Sequence, residues 1–179
     1  MIILASGSPR RRELIKKITS DFTVIPADID ESIINVPACD LPGELSKMKA
    51  YDVFQKYPND KVLACDTVVI IDGEVLGKPH TKEKAFEMLK KLSGRKHVVI
   101  SGYTLISKEK EITRTVRTYV YFNNLSDELI KKYIETGSPM DKAGAYGIQD
   151  REFDLVNHIE GSFDNVIGLP TEDLKAHWF

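Results

Sequence analysis

Apolar and polar positions along the chain fall into short blocks whose period switches between two and about 3.6 residues. Residues 1–5 are almost wholly apolar and predict a strand. The segment Ser6-Gly7-Ser8-Pro9-Arg10-Arg11-Arg12 follows at once, and residues 13–18 then show the spacing of an amphipathic helix. Residues 22–26 read as a second strand ending at Pro26, and residues 28–32 as an acidic loop. Residues 41–54 carry helical spacing, with Leu45, Met48, Ala50 and Val53 on the expected buried face. Residues 62–71 form a strand that is apolar except at Asp66 and Thr67, and Asp72-Gly73 is a hairpin signal leading into residues 74–76.

The second half continues the alternation. Residues 82–92 predict a helix capped by Thr81, with Ala85, Phe86, Leu89 and Leu92 spaced for burial. Residues 97–107 and 111–122 alternate as two antiparallel strands around Lys108-Glu109-Lys110. A helix capped by Ser126 runs to Thr136-Gly137, and residues 141–147 are small and glycine-rich. Residues 155–159 are a short strand, and residues 163–168 and 171–178 are short helices split by Leu169-Pro170. Helices and strands interleaved with a long hairpin predict an α/β fold with a mixed sheet.

Composition narrows the function classes. A chain of 179 residues suits one domain with its own core. The net charge of −2 disfavours a nucleic-acid-binding module built on the basic first helix, and no aromatic stacking platform stands out. Cys39 and Cys65 have neither metal-ligand spacing nor a partner pattern, and Cys65 reads as a small core residue. No signal pattern or membrane-length apolar run is present, so the expectation is a cytoplasmic protein without a membrane partner.

The candidate chemistry is local. Two hydroxyls (Ser6, Ser8), a proline suited to a first helical turn, and the arginines Arg10 and Arg11 make an anion site for a phosphate-bearing ligand. A plain solvated surface is the alternative. Asp66 is a carboxylate inside an apolar strand, which is costly unless it is paired, hydrogen-bonded or metal-bound; a strand end in water is its simpler explanation. Asp30-Glu31 adds an acidic pair, and with Asp66 it suits a hard-oxygen site for Mg²⁺ or Mn²⁺. Lys78, set between Gly77 and Pro79, suits a point charge aimed at phosphate, or else an exposed turn. The segment 141–149 brings two glycines that permit close approach to a ligand, and Gln149, which has the groups to read a base edge or simply to face water.

In order along the chain, Ser6-Gly7-Ser8-Pro9-Arg10-Arg11, Ala64-Cys65-Asp66-Thr67, Leu76-Gly77-Lys78-Pro79 and residues 141–149 resemble the Maf family of septum-formation-inhibitor-like nucleoside triphosphate pyrophosphatases. Leu92-Ser93-Gly94-Arg95 and Asn165-Val166-Ile167-Gly168-Leu169-Pro170 resemble further signatures, so the match spans residues 1–179 as a single domain. The resemblance implies an elongated mixed sheet flanked by helices, with two lobes around a central cleft, as in inosine triphosphate pyrophosphatases. It implies hydrolysis of a nucleoside triphosphate to the monophosphate and pyrophosphate with a divalent cation, and a homodimer as the expected assembly. Asp66 takes the position of the proton acceptor. Arg10, Thr67 and Gln149 take positions tied to substrate choice, and Glu31, Lys49 and Lys78 those of metal or phosphate contacts. The Asp66-Thr67 pair and Gly147-Ile148-Gln149 look like the branch acting on dTTP and UTP. A nucleotide-binding regulator of septum formation without catalysis is the alternative.

Overall fold

The computed structural model describes residues 1–179 throughout. In chain order the strands are β1 (Ile2–Leu4), β2 (Phe22–Val24), β3 (Lys61–Ile71), β4 (Glu74–Leu76), β5 (Lys96–Ile106), β6 (Glu111–Phe122) and β7 (Val156–Glu160). The helices are α1 (Pro9–Ile15), α2 (Leu41–Phe54), α3 (Lys82–Leu92), α4 (Asp127–Glu135), α5 (Phe163–Ile167) and α6 (Thr171–Ala176). The strands form one seven-stranded sheet in the order β2-β1-β3-β5-β6-β7, with β4 paired on β3. It is mixed, as expected: β1 runs parallel to β2 and β3, while β3–β4 and β6–β7 are antiparallel.

The chain divides into two compact units. The first comprises Met1–Thr67, Ile100–Val116 and Asp164–Phe179. Here the period of two along β1 and β3 sends alternate side chains to opposite faces of the sheet. Ile2, Leu4, Leu63 and Cys65 join Leu14 and Ile15 of α1 and Leu174 of α6 in one buried cluster. Ile3, Val62 and Ala64 join Ala50 and Val53 of α2 in a second. Asp66 therefore belongs to the α2 side of β3, and Thr67 to the α1 side. Cys65 is buried as expected, and burial pushes its thiol pKa up.

The inward face of α2 departs from expectation. Met48 is only half-buried, while Ser46 is fully buried and donates its hydroxyl to the Gly43 carbonyl 2.7 Å away. The reason lies in β5: a Cβ on Gly102 would come within 2.3 Å of the Gly43 nitrogen and 2.4 Å of the Pro42 carbonyl carbon. The helix start thus lies directly on the strand backbone, which leaves room only for a small residue at Ser46, while Met48, two residues on, is turned about 200° round the helix from it.

The second unit comprises Val68–Val99 and Arg117–Phe163. Its core includes Leu89 and Leu92 of α3 and Ile130 and Tyr133 of α4. His97, Phe122 and Tyr146 form an edge-to-face trio, and His97 Nε2 lies 2.7 Å from the Tyr146 hydroxyl. Burial drives the His97 pKa down to about 4. Phe86, expected to be buried, is half-exposed.

Candidate active site

The carboxyl ends of parallel strands are where open α/β sheets bind ligands. In the first unit, β1 ends in Ser6-Gly7-Ser8 before α1 begins at Pro9. Ser8 caps the helix by accepting from the Arg11 amide at 3.4 Å. The Ser6 hydroxyl accepts the Ser8 amide at 3.2 Å and Arg11 Nη1 at 3.3 Å. Arg11 also donates Nε to the Gly168 carbonyl at 2.8 Å and Nη2 to Thr67 Oγ1 at 3.1 Å. One guanidinium therefore ties the first loop, β3 and the turn after α5 together, and two of its five N–H groups remain for a ligand. Arg10 is half-buried in the same turn, and Arg12 is exposed.

The acidic residues meet on the other face of β3. Asp30 caps a short 3₁₀ turn, Glu31–Ile33, by accepting from the Ser32 amide at 3.0 Å and the Ser32 hydroxyl at 2.6 Å. These bonds hold the Asp30 carboxyl below its usual range. Asp30 is thus committed to the turn, and Glu31 is the member of the pair that reaches inward. Lys49 of α2 places its ammonium 2.9 Å from Glu31 Oε1 and 2.9 Å from Asp66 Oδ1. Burial works to lower the Lys49 pKa, but Asp66 and Glu31 together hold it above the ordinary lysine value. Lys49 and Asp66 are largely buried, at 16% and 14% side-chain exposure, whereas Glu31 is 53% exposed. One ammonium between two carboxylates leaves a net charge of −1.

In the second unit, the amide of Gly144 donates to the Gly77 carbonyl at 3.2 Å, which brings the Lys78 turn beside the glycine-rich segment. Gly144 and Ala145 both adopt left-handed backbone angles, with φ of 72° and 61°. The Tyr133 hydroxyl accepts the Gly147 amide at 2.9 Å and donates to Asp150 Oδ2 at 2.6 Å. Lys78 and Gln149 are both exposed.

The family described as Maf-like protein matches residues 1–177. The chain belongs to the Maf family. A relative from Thermosipho africanus named dTTP/UTP pyrophosphatase is 50% identical over 169 residues, covering 94% of this chain and 87% of that protein. Another of the same name from Thermococcus gammatolerans is 47% identical over 172 residues, covering 96% and 92%. Among solved structures, that of the Staphylococcus aureus Ham1 protein matches 98% of both chains with a TM-score of 0.53 at 17% identity. That likeness concerns the fold alone, and the mixed sheet flanked by helices is the fold class expected.

In this Maf chain, Ser6, Ser8, Arg10, Arg11 and Thr67 gather on one side of β3, and Glu31, Lys49 and Asp66 on the other. Lys78 and Gln149 belong to the second unit. No group of three or more His, Cys, Asp or Glu suited to a metal occurs. The pair that does converge, Glu31 and Asp66, already holds a cation in the form of the Lys49 ammonium. Two hard oxygen donors match an ion such as Mg²⁺, which takes its remaining ligands from water and substrate phosphates. Several residues escaped the reading of the Maf motifs. Tyr133 and Asp150 hold the glycine-rich segment, yet a tyrosine on an amphipathic helix carries no signal beyond burial. Ser101 is fully buried on β5 and bonds Thr67 at 2.7 Å; a serine amid apolar strand residues was the available clue.

Proposed function

We propose that this Maf protein hydrolyses pyrimidine nucleoside triphosphates, dTTP and UTP, to the monophosphate and pyrophosphate. The observation that carries the reading is the Lys49 clamp on Asp66 and Glu31, with Asp66 midway along β3 and next in sequence to Thr67, which Arg11 of the first turn holds. Lys49 engages Asp66 Oδ1, which orients the carboxylate and leaves Oδ2 for a water proton. Water attacks the α-phosphorus, its proton passes to Asp66, and the bond to the bridging oxygen breaks with release of pyrophosphate. Asp66 and Glu31 would hold a divalent cation together with the phosphates, and that ion, when bound, supplies charge neutralisation at the reacting phosphate.

The remaining roles follow from donor chemistry. Arg10 stabilises phosphate charge, and the remaining N–H groups of Arg11 add to this. Thr67 reads the base. The names and 46–50% identity of the curated relatives support both the reaction and the substrate pair. The test is a pyrophosphate-release assay over a panel of nucleotides with Mg²⁺ or Mn²⁺. Turnover should favour dTTP and UTP over ATP and GTP. Binding without release would instead mark a nucleotide-binding regulator.

A further inference from the structure

Thr67 is held by more partners than its place in the motif suggests. Its hydroxyl has one proton and two lone pairs. Arg11 Nη2, a donor only, occupies one lone pair at 3.1 Å. Ser101 Oγ lies 2.7 Å away, where either hydroxyl is able to donate. Ser101 Oγ is also 3.2 Å from the Asn165 carbonyl, which only accepts. The Gly168 carbonyl lies 3.4 Å from Thr67 Oγ1 but already receives Arg11 Nε at 2.8 Å and the Cys65 thiol at 3.2 Å.

Two proton arrangements satisfy these contacts. In the first, Thr67 donates to Ser101, and Ser101 donates to Asn165. In the second, Thr67 donates to the crowded Gly168 carbonyl, Ser101 donates to Thr67, and the Asn165 carbonyl loses the Ser101 proton. The first uses the shorter contact and serves both acceptors. The Thr67 proton is directed into the protein in either case, so Thr67 does not donate to a ligand. Only the first leaves it anything to offer, and what remains is a single lone pair.

We propose that Ser101 is a positioning residue for base selection: by taking the Thr67 proton it makes Thr67 an acceptor only, matched to the N3–H of uracil or thymine and mismatched to cytosine, whose N3 is itself an acceptor. This deepens, and rests on, the pyrimidine triphosphate activity proposed above. Thr67 is half-exposed while Ser101 is fully buried, so of the two only Thr67 is open to a ligand, and Ser101 would act through it. A hydrogen-bonding site rejects the analogue of wrong polarity because its own polar group is left unpaired.

The experiment measures kcat/KM for UTP and CTP by pyrophosphate release in the wild type, Ser101→Ala, Ser101→Thr and Thr67→Val, with thermal melts alongside. Ser101→Ala leaves the Thr67 proton only the crowded Gly168 carbonyl, at 3.4 Å, as an acceptor inside the protein, so it turns to a cytosine N3 when one is bound, and the UTP-to-CTP ratio should fall about tenfold. Ser101→Thr keeps the hydroxyl and should keep the ratio. An alanine variant that folds but retains the wild-type ratio, or loses both substrates equally, overturns the proposal. If the alanine variant does not fold, Thr67→Val decides: it should lower the ratio to a similar extent, and an unchanged ratio overturns the proposal. A wild type that turns over neither UTP nor dTTP defeats the underlying activity instead, and is told apart by that result.

Discussion

Replacing Lys49 with methionine tests the clamp most directly. The substitution keeps most of the side-chain length and removes the ammonium that lies 2.9 Å from both Asp66 and Glu31. Two carboxylates then face each other, one of them largely buried, with no cation between. Removing one partner of a buried ion pair costs about 3–5 kcal/mol, and the exposure of Glu31 puts this case near the lower end, about 3 kcal/mol. For a chain of this size that corresponds to a fall of roughly 6–12 °C in melting temperature. The pH dependence adds a second signature. Because the native state raises the Lys49 pKa, the clamp's contribution is fully present below the ordinary lysine value of 10.5 and is lost as pH rises through the native one. Wild-type stability should therefore decline in that alkaline window, and Lys49→Met should lack that part of the decline. The assay is urea unfolding across pH, with the double variant Lys49→Met/Asp66→Asn closing a mutant cycle. The double variant should recover part of the loss, since neutralising Asp66 removes the uncompensated charge. A single variant within about 1 °C of wild type would refute the reasoning.

Asp66→Asn should abolish pyrophosphate release while the far-ultraviolet spectrum stays native; near-normal turnover would sink the assignment of Asp66 as base. His97, with its pKa lowered to about 4 by burial, is neutral in the fold and gains a proton on unfolding between pH 6.5 and 4. Stability should thus fall by about 3 kcal/mol as pH drops through that window, and His97→Gln should flatten this limb in pH-dependent unfolding. Gly102→Ala forces a methyl into the backbone of Pro42 and Gly43, and should lower stability by roughly 3 kcal/mol or more, read by thermal melting. Tyr133→Phe removes the acceptor of the Gly147 amide and the donor to Asp150, and should cost about 1–3 kcal/mol, read by thermal melting.

The elements that could be read from the chain were those whose own residues settle them. The bounds of α2 and α3 emerge as expected because Pro42 stands in the first turn of one, and Thr81 caps the other above an apolar face. Asp66 announced itself as a charge in an apolar strand, and the structure answers with Lys49. What could not be read was set by neighbours remote in sequence. Ser46 is buried where an apolar residue was expected because Gly102 brings β5 onto the start of α2. The choice between Asp30 and Glu31 depends on a turn that engages the first and releases the second. Arg11, legible as an anion binder, also proves to be a brace, since its acceptors on Thr67 and Gly168 lie 56 and 157 residues away.

That longest tie places the arginine brace late in biosynthesis. A ribosome adds about 5–20 residues per second, so Arg11 waits on the order of 10–30 s after its own synthesis for the Gly168 carbonyl to exist. The Lys49, Asp66 and Glu31 cluster is complete about a hundred residues earlier by sequence. The acidic half of the site is thus available for assembly while the phosphate-binding loop still lacks its anchor. A chain clipped before residue 168 would lose that anchor together with Leu169 and Leu174, which pack in the core behind the loop.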